Sequence, residues 1–146
     1  MAKNKIKSED KSRKEAVEDL NIKVGVVGSG TFATAIVKML LENSSLVHWC
    51  VRNEFVKGAI ELRGHNPTYL TAVHFNPKHL AVTTDINELV SACDVIVLAT
   101  PSIYLEDTMR NMNCDYSGKI FISAIKGVVP AVNDIVATYL REVFDI

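Results

Sequence analysis

At 146 residues and 48% hydrophobic composition, the chain can bury one substantial core, which excludes the disordered and fibrous classes. A formal net charge of -1 supplies no sequence-wide field for a phosphate backbone, so nucleic acid is not an expected partner. The apolar runs fall far short of a membrane span, and the charged start Met1-Ala2-Lys3-Asn4-Lys5 leads into more charge, not a signal segment, so no membrane association and a cytoplasmic location are expected.

Eleven of the first twenty residues are charged, and residues 1–21 read as a solvated, flexible tail. Within it, Ser12-Arg13-Lys14-Glu15 has the spacing of a capping box, which would start a short helix carrying Ala16, Val17 and Leu20 on one face. From residue 22 to 146, short β-branched runs alternate with segments of helical period, the pattern of strand-helix units over a parallel sheet. The expected strands are Ile22 to Val27, Leu46 to Val51, Ala81 to Thr84, Asp94 to Thr100 and Lys119 to Ile125. Helices are expected from Thr31 to Glu42, from near Asn53 to just before Gly64, after an N-cap at Asp85, from the first turn opened by Pro101, and from about Ala131 to Val143. A loop rich in Asn, Pro and Thr fills 65–80. The run Val95-Ile96-Val97-Leu98-Ala99 is apolar on both faces, as a strand covered on each side must be. The expected fold is therefore α/β: a Rossmann-type doubly wound parallel sheet with helices on both faces.

Gly28-Ser29-Gly30-Thr31-Phe32-Ala33 carries the strongest chemical signal. It follows an apolar strand and opens a helix free of Pro and Gly, which is the setting of a dinucleotide phosphate turn. Gly28 permits the tight turn, Gly30 lets the backbone approach a pyrophosphate, and the helix start offers free N-H groups with a positive dipole end. Ala33 stands where a third glycine often sits and is small enough to keep helix and strand close. The competing reading is a strand-helix turn with no ligand. Folds that prefer NAD place an acidic residue after the second strand, about 20 residues on. Here that place holds Arg52, whose guanidinium suits a 2'-phosphate and favours NADP over NAD; alternatively it is a solvated residue that Glu54 neutralises.

Ligands in such sheets lie across the carboxyl ends of the strands, so Thr100-Pro101-Ser102 and Lys126-Gly127 are the next candidates. Lys126 there could neutralise a substrate phosphate or polarise a carbonyl, or be a plain loop charge. Tyr69 and Tyr104 could pack on cofactor rings or anchor loops. Cys50, Cys93 and Cys114 have no Cys-x-x-Cys pairing and read as reduced structural thiols, and the four histidines lack ligand spacing, so no metal is expected.

Several segments in order, Gly-Ser-Gly-Thr-Phe-Ala-Thr-Ala at 28–35, Trp49 to Asn53, Asn66-Pro67-Thr68-Tyr69-Leu70, Ala99-Thr100-Pro101-Ser102 and Ser123-Ala124-Ile125-Lys126-Gly127-Val128, resemble the N-terminal half of NAD(P)-dependent glycerol-3-phosphate dehydrogenases. The resemblance implies an oxidoreductase that interconverts dihydroxyacetone phosphate and sn-glycerol 3-phosphate and supplies phospholipid precursors. It implies a catalytic, nicotinamide-side role for Lys126 and cofactor contacts from Thr31, Phe32, Arg52, Tyr69, Pro101 and Tyr104. The loop departs from the family at Tyr69-Leu70-Thr71-Ala72, where Pro-Gly usually follows the Leu, and one residue is added between Trp49 and Arg52. Family members continue into a helical domain that carries a second lysine and most of the substrate pocket. The resemblance thus implies a cofactor domain separated from its partner domain, inactive by itself and homodimeric when whole. Another two-domain reductase, of the ketopantoate or 3-hydroxy acid type, and a non-catalytic NAD(H)-sensing module are the alternatives.

Overall fold

The computed structural model describes residues 21–146. The expected tail and its capping box therefore lie, but for Asn21, outside the described residues. Five parallel strands, β1 (Val24–Val27), β2 (Val47–Cys50), β3 (Leu80–Thr83), β4 (Val95–Leu98) and β5 (Ile120–Ser123), form one sheet in the order β3-β2-β1-β4-β5. Register runs Val26 opposite Trp49 on one side of β1 and Val26 opposite Val97 on the other. The order reverses beside β1, which opens a crevice at the carboxyl ends of β1 and β4.

Alternation along the strands divides the core in two. Val26, Trp49 and Val97 point to one face, where Ala33 and Val37 of α1 (Thr31–Leu41) and Val56 and Ile60 of α2 (Glu54–Arg63) cover them. Val27, Cys50, Ile96 and Leu98 point to the other, under α3 (Ile86–Ala92), α4 (Leu105–Arg110) and α5 (Val136–Phe144). The sheet is thus doubly wound, as expected. Gly25 lets α3 close on β1, since a Cβ there would lie 2.6 Å from Leu89 Cδ2 and 2.9 Å from Cys93 Sγ.

Local chemistry sets the helix ends. Asn53 caps α2 by accepting from the Val56 amide at 3.0 Å, and Gly64, at φ 68°, ends it in the left-handed region. Asp85 caps α3 through the Asn87 amide at 2.8 Å, as its sequence position suggests.

Two expected helix starts are corrected. Pro101 precedes a 3-10 turn, Ser102–Tyr104, and α4 begins only at Leu105. Residues 131–135 are not helical: Val128–Val129 (β6) and Asp134–Ile135 (β7) form an antiparallel ribbon, and α5 starts at Val136. The reason lies in the turn. Asn133 adopts φ 52°, and the Val129 carbonyl accepts from the Val132 and Asn133 amides, so the chain reverses before a helix can begin. Burial of Val129 in the core beside α4 fixes that reversal.

Candidate dinucleotide site

The β1-α1 turn is held from behind. The buried Trp49 ring on β2 donates its Nε1-H to the Gly28 carbonyl at 2.7 Å, and Phe75 meets the ring edge-on at 5.5 Å. The buried amide of Asn66 donates to the Ser29 carbonyl and to Thr34 Oγ1, both at 2.9 Å. Thr34 Oγ1 in turn donates to the Gly30 carbonyl at 2.8 Å. None of Trp49, Asn66 and Thr34 is singled out as a site residue by sequence reasoning; each stands only within a segment that carries the resemblance. The available signal was a polar Asn beside a Pro in the 65–80 loop, which by itself reads as turn chemistry.

On the open side, among the described residues, the amides from Ser29 to Ala33 have no hydrogen-bond acceptor. Gly30 is the N-cap of α1, with no side-chain cap and no acidic residue in the first turn. A helix start in this condition keeps its full positive end for an anion. Gly28 sits at φ 123°, and a Cβ there would meet the Ala99 carbonyl at 2.6 Å. A Cβ at Gly30 would meet nothing within 4 Å, so it would project into free space above the turn. That vacant approach is what a pyrophosphate needs, and the residues present fit the group.

A cleft of about 820 Å³ opens here and gathers most of the sequence-predicted residues: Gly28, Ser29, Gly30, Arg52, Tyr69, Pro101 and Tyr104 line it. Arg52 is exposed after β2 and, among the described residues, has no carboxylate within ion-pair distance. Glu54 accepts instead from the Thr84 hydroxyl at 2.6 Å, so the expected alternative of an Arg52-Glu54 pair does not form. Tyr69 and Tyr104 are exposed at the rim, not packed in the core.

Four candidates lie elsewhere. Thr31 and Phe32 are exposed on the first turn of α1, whereas Ala33 is fully buried against the sheet and offers its amide but no side-chain surface. Lys126, after β5, is not in the cleft lining; its ammonium stands over the Phe32 ring, 5.8 Å from the centroid. This cation-π contact joins the loop after β5 to the start of α1 at the same edge of the sheet.

The thiols are not part of this chemistry. Burial, with Asp85 and Glu88 nearby, pushes Cys50 up to about 12, and burial beside Asp94 raises Cys93 to about 11. Both stay protonated at neutral pH and act as small apolar residues. Among the described residues no cluster of His, Cys, Asp or Glu could hold a metal ion, and no helix is long and apolar enough to cross a membrane.

Comparison with known proteins identifies the family. A glycerol-3-phosphate dehydrogenase [NAD(P)+] of Ectopseudomonas mendocina is 28% identical over 120 residues, covering 82% of this chain and 35% of the relative. One from Pseudomonas fluorescens is 31% identical, covering 82% of this chain and 34% of the relative. The chain therefore spans about a third of the length of these relatives. Among solved structures, the Saccharomyces cerevisiae glycerol-3-phosphate dehydrogenase superposes with a TM-score of 0.70 at 28% identity, covering 83% of this chain and 38% of that one. The Plasmodium falciparum glycerol-3-phosphate dehydrogenase gives 0.72 at 22% identity, with 88% and 39% covered, which supports the fold. Residues 23–146 match the family described as NAD-dependent glycerol-3-phosphate dehydrogenase N-terminus, and the chain belongs to that family.

Proposed function

We propose that this chain binds NAD or NADP across the carboxyl ends of β1 and β4, with the pyrophosphate on the amides of residues 29–33. The observation that carries the reading is a run of amides that have no acceptor among the described residues, at an uncapped helix start with no acidic side chain in its own first turn, opening onto the cleft. When bound, the nicotinamide supplies or takes up a hydride. Tyr69 and Tyr104 would flank the cofactor from opposite loops. Lys126 would place a fixed positive charge beside the reacting carbonyl or the substrate phosphate, where developing negative charge needs it.

The whole protein would then interconvert dihydroxyacetone phosphate and sn-glycerol 3-phosphate in the cytoplasm, as a homodimer, and feed phospholipid precursor supply. A helical substrate domain would complete its pocket, and residues 1–146 alone would turn over nothing. The test is a titration of this chain with NADH and NADPH, followed by cofactor fluorescence. Binding of at least one is expected, and no saturable binding of either up to millimolar concentration would refute the proposal.

Arg52 refines it. Its guanidinium after β2, which has no carboxylate partner among the described residues, suits a 2'-phosphate, so Arg52→Ala should weaken NADPH binding about tenfold, the loss of one charge-assisted contact, and leave NADH within about twofold. Equal losses for both cofactors would show that Arg52 does not read the 2'-phosphate.

A further inference from the structure

The three peptide units after Gly28, Ser29 and Gly30 share one arrangement. Each carbonyl is taken from the protein side by a side-chain donor: Trp49 Nε1, the Asn66 amide and Thr34 Oγ1, at 2.7, 2.9 and 2.8 Å. No peptide bond in the described chain is cis. In a planar trans peptide the N-H of the next residue points opposite to the carbonyl. Fixing those three oxygens therefore aims the amides of Ser29, Gly30 and Thr31 the other way, with no reorganisation left for the moment an anion arrives.

Asn66 does more than hold one oxygen. Its Oδ1 accepts from the Thr68 amide at 3.0 Å and the Tyr69 amide at 3.1 Å, while its Nδ2 reaches Ser29 and Thr34. All four hydrogen-bonding positions of the amide are filled, and the residue is fully buried. One side chain thus ties the phosphate turn to the loop that carries Tyr69 into the cleft. A buried polar group with every bond made is rigid, and its removal strands several partners at once.

We infer that Asn66, with Trp49 and Thr34, is a positioning residue that presets the pyrophosphate-binding amides and couples them to the Tyr69 loop. The inference rests on the proposed dinucleotide site. None of the three side chains touches the ligand in this scheme; each acts through a carbonyl of the turn.

The experiment compares NADH, ADP and adenosine binding to the chain and its variants by calorimetry and NMR titration. Asn66→Ala should weaken NADH and ADP about tenfold and adenosine by clearly less, because adenosine has no phosphate to meet the misaimed amides and loses only what the released Tyr69 loop contributes. Thr34→Val, which keeps shape and loses only the hydroxyl, should weaken NADH about threefold, and Thr34→Ser should restore it. That pair carries the test if Asn66→Ala does not fold. In the unmodified chain, hydrogen exchange of the Thr68 and Tyr69 amides should slow when NADH saturates the cleft. Unchanged NADH affinity in Asn66→Ala or Thr34→Val, equal losses for NADH and adenosine, or no change in Thr68 and Tyr69 exchange would overturn the inference. If the unmodified chain binds NADPH alone, the same titrations are run with NADPH; failure to bind either dinucleotide would instead remove the site on which the inference stands.

Discussion

Gly30 separates folding from binding at the level of one residue. Its φ of -78° is open to any amino acid, and an added Cβ would touch nothing, so Gly30→Ala should leave the unfolding free energy within about 0.5 kcal/mol. The same methyl would occupy the approach to the turn, and dinucleotide affinity should fall at least about tenfold. Paired thermal melts and cofactor titrations check this, and a variant that binds normally would place the pyrophosphate elsewhere. Gly28 is the contrast, because its φ of 123° and the Ala99 carbonyl forbid a side chain on structural grounds alone. Both glycines were legible in the sequence as one motif. That they are required for different reasons was not, since the reasons are φ at one and empty space at the other.

Between elements, side-chain hydrogen bonds set where segments stop and how they join. Asn87 of α3 accepts from the Asn113 and Cys114 amides and donates to the Asn111 carbonyl, which pins the loop after α4. The β6-β7 ribbon shows why boundaries misled. Apolar residues at Ala131, Val132 and Ile135 fit a helical period, yet Asn133 in the left-handed region reverses the chain. Asparagine tolerates that conformation and valine does not, so Asn133→Val should cost about 1–2 kcal/mol, while Asn133→Gly should be close to neutral. Urea unfolding of the two variants measures the difference. Equal midpoints would show that the turn is not held by its backbone conformation.

Across the whole molecule the sheet is covered unevenly. β1 and β4 are buried on both faces, but β5 leaves Ile120 and Ile122 60% and 48% exposed. Protonation acts at the same scale, through the packing of several elements on one group. His48 of β2 is held below its ordinary value of 6.5, first by burial and then by Lys23, with Glu88 opposing. Below 6.5 the unfolded chain takes up a proton that the folded chain resists, so stability present at higher pH is lost as pH falls from 6.5 towards the lowered folded value. The midpoint of urea unfolding should accordingly drop between pH 7.5 and pH 5.5, and His48→Gln should show a smaller drop. An identical pH dependence in that variant would rule out His48 as the cause.

The strand-helix alternation, the two-sided cover of the Val95–Ala99 run and the Gly28–Ala33 turn were determined by the sequence alone, because hydrophobic period and backbone permissiveness are local properties. Tertiary structure decided the rest. Asn66 and Trp49 lie 37 and 21 residues from the carbonyls they hold, Phe32 meets Lys126 only at the sheet edge, and Glu54 turns to Thr84 and away from Arg52. Each of these contacts joins segments that the sheet order brings together, and no local pattern records which donor will find which acceptor.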